Sequence, residues 1–282
     1  MSWVVLALLS VLLFSVSSLL QRVLMKDEKS NAHAYSIVFQ IFGGLVVGLV
    51  AVLNGFVMPP ITQFPVNFLL LAVLYGAGTL FIFNAFKYIE ASEVTIITST
   101  RSIITIVSAI LLLGEAFDFK KAIGTLIILI AAYLVSRKKR ALKMNKGVLY
   151  ALAMAICYGL AITNDTFLLK YVDVFSFLTV AFLLPGFFLI AVKPKALFEL
   201  SQFLKPKVFA NMLVMTVFYA GGASLFYFAI INGTNASQIT PISQSSVIVT
   251  VILAAIFLNE RDHLLKKVVS AILVTIGVLL IK

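Results

Sequence analysis

The sequence predicts an all-α, polytopic membrane protein whose ten transmembrane helices form two inverted five-helix repeats. Three observations predict it: too little charge to solvate a globular surface, apolar runs of membrane-spanning length, and an ungapped internal repeat. Of the 282 residues, 62% are hydrophobic and 12% are charged, and the mean hydropathy is +1.11. A soluble domain keeps roughly a quarter of its residues charged. Apolar runs of about 20 residues cross a hydrocarbon core of about 30 Å at a helical rise of about 1.5 Å per residue. Stretches such as "VVLALLSVLLFSVSSLL" and "TLIILIAAYLV" are apolar at consecutive positions, which excludes the in/out alternation of barrel strands.

Helices are expected at 2–23, 33–53, 66–86, 91–113 and 120–136, and again at 147–169, 174–192, 209–231, 237–258 and 265–281. The first opens "MSWVVLALLS" without the positive region of a signal peptide, so it is expected to be retained. The breaker-rich "NGFVMPPITQFP" separates the second and third helices, and the basic "SRKKRALKMNK" separates the fifth and sixth. That basic stretch divides the chain into residues 1–140 and 141–282. Most other connections are short, so consecutive helices run antiparallel. "YGAG" in the third helix and "AGGA" in the eighth are small-residue faces for close packing. The single cysteine, Cys157, sits in an apolar run and reads as a core residue.

A net charge of +11 needs no nucleic-acid partner here, because cytoplasmic loops of membrane proteins carry excess Lys and Arg. The loops after the odd-numbered helices hold 17 of the 22 basic residues, the termini and remaining loops hold four, and Arg101 is the last. This bias places the odd loops in the cytoplasm and both termini outside a multi-pass plasma-membrane protein.

Residues 81–115 laid over 226–260 match at 11 of 35 positions without a gap. Among the matches are Ala91/Ala236, Ser92/Ser237, Thr95/Thr240 and the terminal pair Glu115/Glu260. Outside that window Gly76 faces Gly221, and Lys26 faces Lys170 with a small shift. An odd number of helices per repeat makes the second repeat enter from the opposite side, an architecture common among secondary transporters.

The five-plus-five helix count, the "AS…T" starts of the fourth and ninth helices, their "LLLGE" and "FLNE" ends and the "KK" beyond each end resemble the EamA-type drug/metabolite transporter superfamily. The resemblance spans essentially the whole chain. It implies non-ATP transport of a small metabolite such as an amino acid or organic anion, with export as the default direction. Relatives are expected to keep both termini cytoplasmic, the reverse of what the charges here indicate.

Arg101 is the eleventh residue of the 23-residue stretch 91–113. A mid-membrane arginine costs about 2.5–3.5 kcal/mol on insertion scales and should face the interior. Thr98, Arg101, Thr105 and Ser108 fall on one helix face within about 80°. The repeat places Ser243, Ser246 and Thr250 at the positions of Thr98, Arg101 and Thr105, with Gln244 and Ser245 beside them. Two alternatives follow for Arg101: a ligand for an anionic substrate group in a cavity between the repeats, or half of a structural ion pair. Its partners in the second case would be Asp165, next to Asn164 and the only carboxylate well inside a span, or Glu93. Asp165 is also the candidate group for proton coupling. Each hydroxyl, taken singly, reads as helix packing.

Tyr158 and Tyr227 are candidate cavity walls. Glu115 and Glu260 read as loop charges beside the helix that follows each, or as symmetric gates. Pro185 and Pro241 are candidate hinges, since each removes a backbone hydrogen bond. An enzyme is not expected: His33 and His263 lie at helix ends, and the sequence has no HExxH motif or cysteine cluster. No GxxxxGK[ST] phosphate loop is present either, so no metal, cofactor or ATP is called for. The competing functions are a flippase for a lipid-linked phosphate or sugar, and a non-transporting scaffold or receptor.

Overall fold

The computed structural model describes residues 3–26, 30–113, 119–136, 145–232 and 246–281. Most of these residues are helical, with no strand among them. In chain order the helices are α1 (Trp3–Met25), α2 (Ala32–Leu53), α3 (Pro65–Tyr88), α4 (Ala91–Thr98), α5 (Arg101–Leu113) and α6 (Phe119–Ser136). There follow α7 (Lys146–Leu168), α8 (Val174–Val192), a 3-10 helix (Pro194–Leu204), α9 (Pro206–Asn232), α10 (Ser246–Phe257) and α11 (Leu264–Ile281). Six of them, α1, α2, α3, α7, α8 and α9, are long and apolar enough to cross a membrane. Shorter apolar helical stretches lie at Ala122–Ala131 and Ser246–Phe257.

Local chemistry sets several helix starts. Asn31 accepts from the backbone N–H groups of His33 and Ala34 at α2, Asn145 from Gly147 at α7, and Asp173 from Ser176 at α8. Each satisfies a donor that a helix start otherwise leaves unpaired. Pro65 stands in the first turn of α3, where its missing N–H costs nothing.

Two elements depart from expectation. The helix expected over 91–113 is broken at Ser99 and Thr100, between α4 and α5. Three consecutive hydroxyls there each donate to the carbonyl three residues back: Thr98 to Thr95 at 3.2 Å, Ser99 to Ile96 at 2.5 Å and Thr100 to Ile97 at 2.7 Å. The backbone tightens to the same spacing, with Thr100, Ser102 and Ile103 N–H groups bonding the carbonyls of Ile97, Ser99 and Thr100. Side chains of this kind compete with the helical ladder and bend it. Between α8 and α9, a 3-10 helix replaces the expected loop.

The most extensive helix contacts join the two halves of the chain: α3 with α7, α1 with α9, α2 with α8, and α6 with α11. Exchanging the halves turns the first two pairs into each other and leaves the last two unchanged, so the packing has a pseudo-two-fold character. Glycines permit the closest approaches. A Cβ on Gly43 would lie 2.5 Å from the Phe182 ring, and one on Gly159 would lie 2.8 Å from the Arg101 carbonyl oxygen. The connections after the first, third, seventh and ninth expected helices meet on one face. There Lys87 Nζ donates to the Ser30 carbonyl at 3.0 Å, Asn31 donates to Glu199, and Lys267 bonds Glu90.

Candidate functional site: a cavity between the two halves

A cavity of about 170 Å³ lies where the two halves meet. Residues of α1, α2, α3, α4, α5, α7, α8, α9 and α10 line it. Its walls are largely aromatic, including Phe14, Phe39, Phe86, Tyr158, Phe182, Tyr219 and Phe226. Edge-to-face contacts fix several of these rings: Phe39–Tyr219 at 4.9 Å, Phe14–Tyr219 at 5.1 Å and Tyr75–Tyr158 at 5.0 Å.

Arg101 lines this cavity together with Thr98 and Ser99. As the first residue of α5, it follows directly on the helix break. Among the described residues no carboxylate lies within ion-pairing distance of Arg101. Asp165 is 99% buried in α7 and turned elsewhere: the Tyr227 hydroxyl donates to its Oδ2 at 2.6 Å, and the Tyr75 hydroxyl donates to the same oxygen. Tyr75 and Tyr227 both line the cavity, so Asp165 stands one layer behind its wall. Arg101 and Asp165 are thus not paired with each other in this structure. The carboxylate is held by phenols from α3 and α9, and the arginine is left to the cavity.

The hydroxyl stripe divides at Arg101. Thr105 donates toward the carbonyls of Arg101 at 3.1 Å and Gly159 at 3.0 Å, while Ser108 and Thr163 share a 2.7 Å hydrogen bond. These groups join α5 to α7, and Thr105 does not line the cavity. Thr250 is likewise buried away from it, whereas Ser246 lines it. Of the described stripe residues, Thr98, Arg101 and Ser246 line the cavity, and Thr105, Ser108 and Thr250 do not. Asn164 is not a cavity residue either. It accepts from Asn67 Nδ2 at 2.7 Å and donates to the Asn67 carbonyl at 3.0 Å, joining α7 to the start of α3. Pro185 lies inside α8, which runs through it as one helix; its carbonyl stands 3.3 Å from where a Cβ on Gly76 would lie. Glu115, Pro241, Ser243 and Gln244 lie outside the described residues.

Glu260 occupies a place the sequence did not suggest. It bonds the start of α4, in the other half of the chain, rather than the start of the helix that follows it. Its Oε1 accepts from Ala91 N–H at 3.2 Å, and its Oε2 accepts from Ser92 N–H at 3.3 Å and Ser92 Oγ at 3.1 Å. Arg22 Nε lies 3.6 Å from Glu260 Oε1, and the Arg22 guanidinium also donates to the Phe86 carbonyl. Lys267, 97% buried, pairs with Glu90 and donates to the Glu260 carbonyl at 3.2 Å. Four charges from α1, the α3–α4 link, the α10–α11 link and α11 thus form one cluster. It borders the cavity at Gln21, Phe86 and Val94.

Sequence reasoning passes over Gln21 and Gln40, which also line the cavity. Gln40 Nε2 donates to Thr79 Oγ1 at 2.5 Å, and Thr79 Oγ1 shares a 3.0 Å hydrogen bond with the Tyr158 hydroxyl. The signal that finds them is the one that finds Arg101: a strongly polar side chain inside an otherwise apolar run.

An all-helical bundle with apolar spans and a polar-studded cavity between two related halves defines a multi-pass membrane protein of transporter type. The chain belongs to the EamA-like transporter family, which it matches over residues 1–137 and again over 145–282. A solved crystal structure of a protein is similar over 98% of this chain and 95% of its own length, with a TM-score of 0.67 and 15% identity. At that identity the likeness speaks for the fold alone. No curated protein matches.

Proposed function

We propose that this protein is a secondary transporter that carries a small metabolite bearing a carboxylate or phosphate, such as an amino acid or organic anion, out of the cell. The observation that carries the reading is Arg101: a guanidinium on the cavity wall, at a helix start, with no carboxylate partner among the described residues. Its fork offers two parallel hydrogen bonds to an oxyanion. The aromatic walls suit the apolar body of such a substrate. The cavity is small beside the roughly 300–1,000 Å³ of drug-sized sites.

In this reading ten helices cross the plasma membrane as two inverted repeats, and the cavity opens alternately to either side. The odd loops are cytoplasmic and both termini outside, on the strength of their basic residues. In a Cys157→Ala background, a cysteine at Ser2 then reacts with an impermeant thiol reagent in intact cells, and one at Asn145 does not. The opposite pattern reverses the orientation. Asp165, buried behind two cavity phenols, is the group that exchanges a proton with the gradient.

The test is a thermal-shift screen of purified protein against amino acids, organic anions, sugars and lipid phosphates, followed by flux in proteoliposomes. Stabilisation by a true ligand rises with its concentration over Kd. Carboxylate or phosphate compounds should raise Tm, and an outward-directed proton gradient should drive their flux in wild type but not in Asp165→Asn. Ligands confined to neutral sugars would defeat the anion reading. A flux response retained in Asp165→Asn would remove that residue from coupling.

A further inference from the structure

We propose that the 3-10 helix Pro194–Leu204 and the lysines around it form a binding surface for an anionic phospholipid. The segment connects α8 to α9 and packs on the ends of α2, α8 and α9. Its inner side is buried, with Ala196 fully enclosed and Phe203 in edge contact with Tyr35 at 4.8 Å. Its outer side is apolar and bare: Phe198 is 85% exposed and Leu204 80%. Such side chains in water would be a liability, but at the rim of a bilayer they reach the acyl chains.

Charge identifies the headgroup. Lys193, Lys195, Lys205 and Lys207 are all exposed around the segment, and its one acid, Glu199, is already engaged by Lys193 at 3.9 Å and by Asn31. Lys195, Lys205 and Lys207 pair with no carboxylate among the described residues. Apolar side chains directed at the acyl region and unpaired ammonium groups beside them complement a phosphodiester whose tails enter the same leaflet. Lysine stems lie along the apolar surface while their heads reach the phosphates.

The chain has one tryptophan, Trp3, so Phe198→Trp in a Trp3→Phe background gives a reporter on this surface alone. The full-length protein is placed in vesicles mixing phosphatidylglycerol with phosphatidylcholine, with one or the other brominated. Brominated phosphatidylglycerol should quench about threefold or more beyond its mole fraction. Replacing Lys195, Lys205 and Lys207 together by Gln should remove the preference, whereas replacing them by Arg should keep it. Circular dichroism identifies any variant that has not folded, and the Arg set then carries the comparison. Equal quenching by both lipids, a preference untouched by the Gln set, or displacement by inorganic phosphate would each overturn the proposal. So would no quenching by either lipid, which places the segment in water or against another protein.

Discussion

Arg101→Ser leaves the protein folded and weakens binding of its anionic substrate by about 10- to 100-fold. Hydrogen bonds to charged groups are worth about 1.5–3 kcal/mol, and each 1.4 kcal/mol is about tenfold in affinity. Ser246 already occupies the corresponding position of the second repeat, so a serine fits a helix start of this kind. Arg101→Lys keeps the charge but loses the fork, and affinity should fall less. The melting temperature decides against the structural alternative. A broken buried ion pair costs about 3–5 kcal/mol by stranding the remaining charge. Here Asp165 is bonded to Tyr75 and Tyr227, so no partner is stranded. Collapse of expression in Arg101→Ser, repaired by a second change at Asp165, would show that the two residues are a structural pair after all.

The second large effect is expected at Glu260. Its carboxylate bonds two backbone N–H groups and a hydroxyl of α4 across the boundary between halves, with Arg22 beside it. We take this cluster, with Glu90–Lys267, as the closure of the cavity toward the odd-loop face. Glu260→Ala removes a cap worth about 0.5–2 kcal/mol. A two-state equilibrium then shifts by roughly 2- to 30-fold toward opening on that side. A cysteine at Ser18, which lines the cavity, should be labelled correspondingly faster from the odd-loop face in the Cys157→Ala background. The exchange Glu90→Lys with Lys267→Glu should restore what either change alone loses, as a paired interaction requires. Unchanged labelling with a lowered melting temperature would make the cluster a structural cap and no gate.

What the sequence disclosed and what it withheld have separate physical causes. The span expected at 174–192 coincides with α8 because charges bracket it: Asp173 caps its start and Lys193 follows its end. Arg101 stood out because burying a permanent charge is costly wherever the helix packs. The break beside it did not, since Thr98, Ser99 and Thr100 read equally as a polar face and as side chains that bond their own backbone. Only tertiary context selects between those. Glu260 looked like a solvated loop charge because its partners lie 168 and 169 residues away. The aromatic wall was hidden by abundance: the chain holds 24 phenylalanines and nine tyrosines, most of them on spans that are apolar all round, so periodicity does not say which faces the cavity.

The cross-half pairing of helices has a consequence for how the protein is made. The main partner of α1 is α9, and that of α3 is α7. At roughly 5–20 residues per second, the ribosome needs about 10–35 s after α1 emerges to reach α9. Throughout that interval α1 resides in the bilayer without its principal neighbour, and its Ser17 lacks the Met215 carbonyl it later bonds at 3.1 Å. Assembly therefore waits for the second half. A ribosome that stalls after residue 140 leaves an insertion intermediate with unmated surfaces, a ready substrate for the proteases that clear orphaned membrane segments.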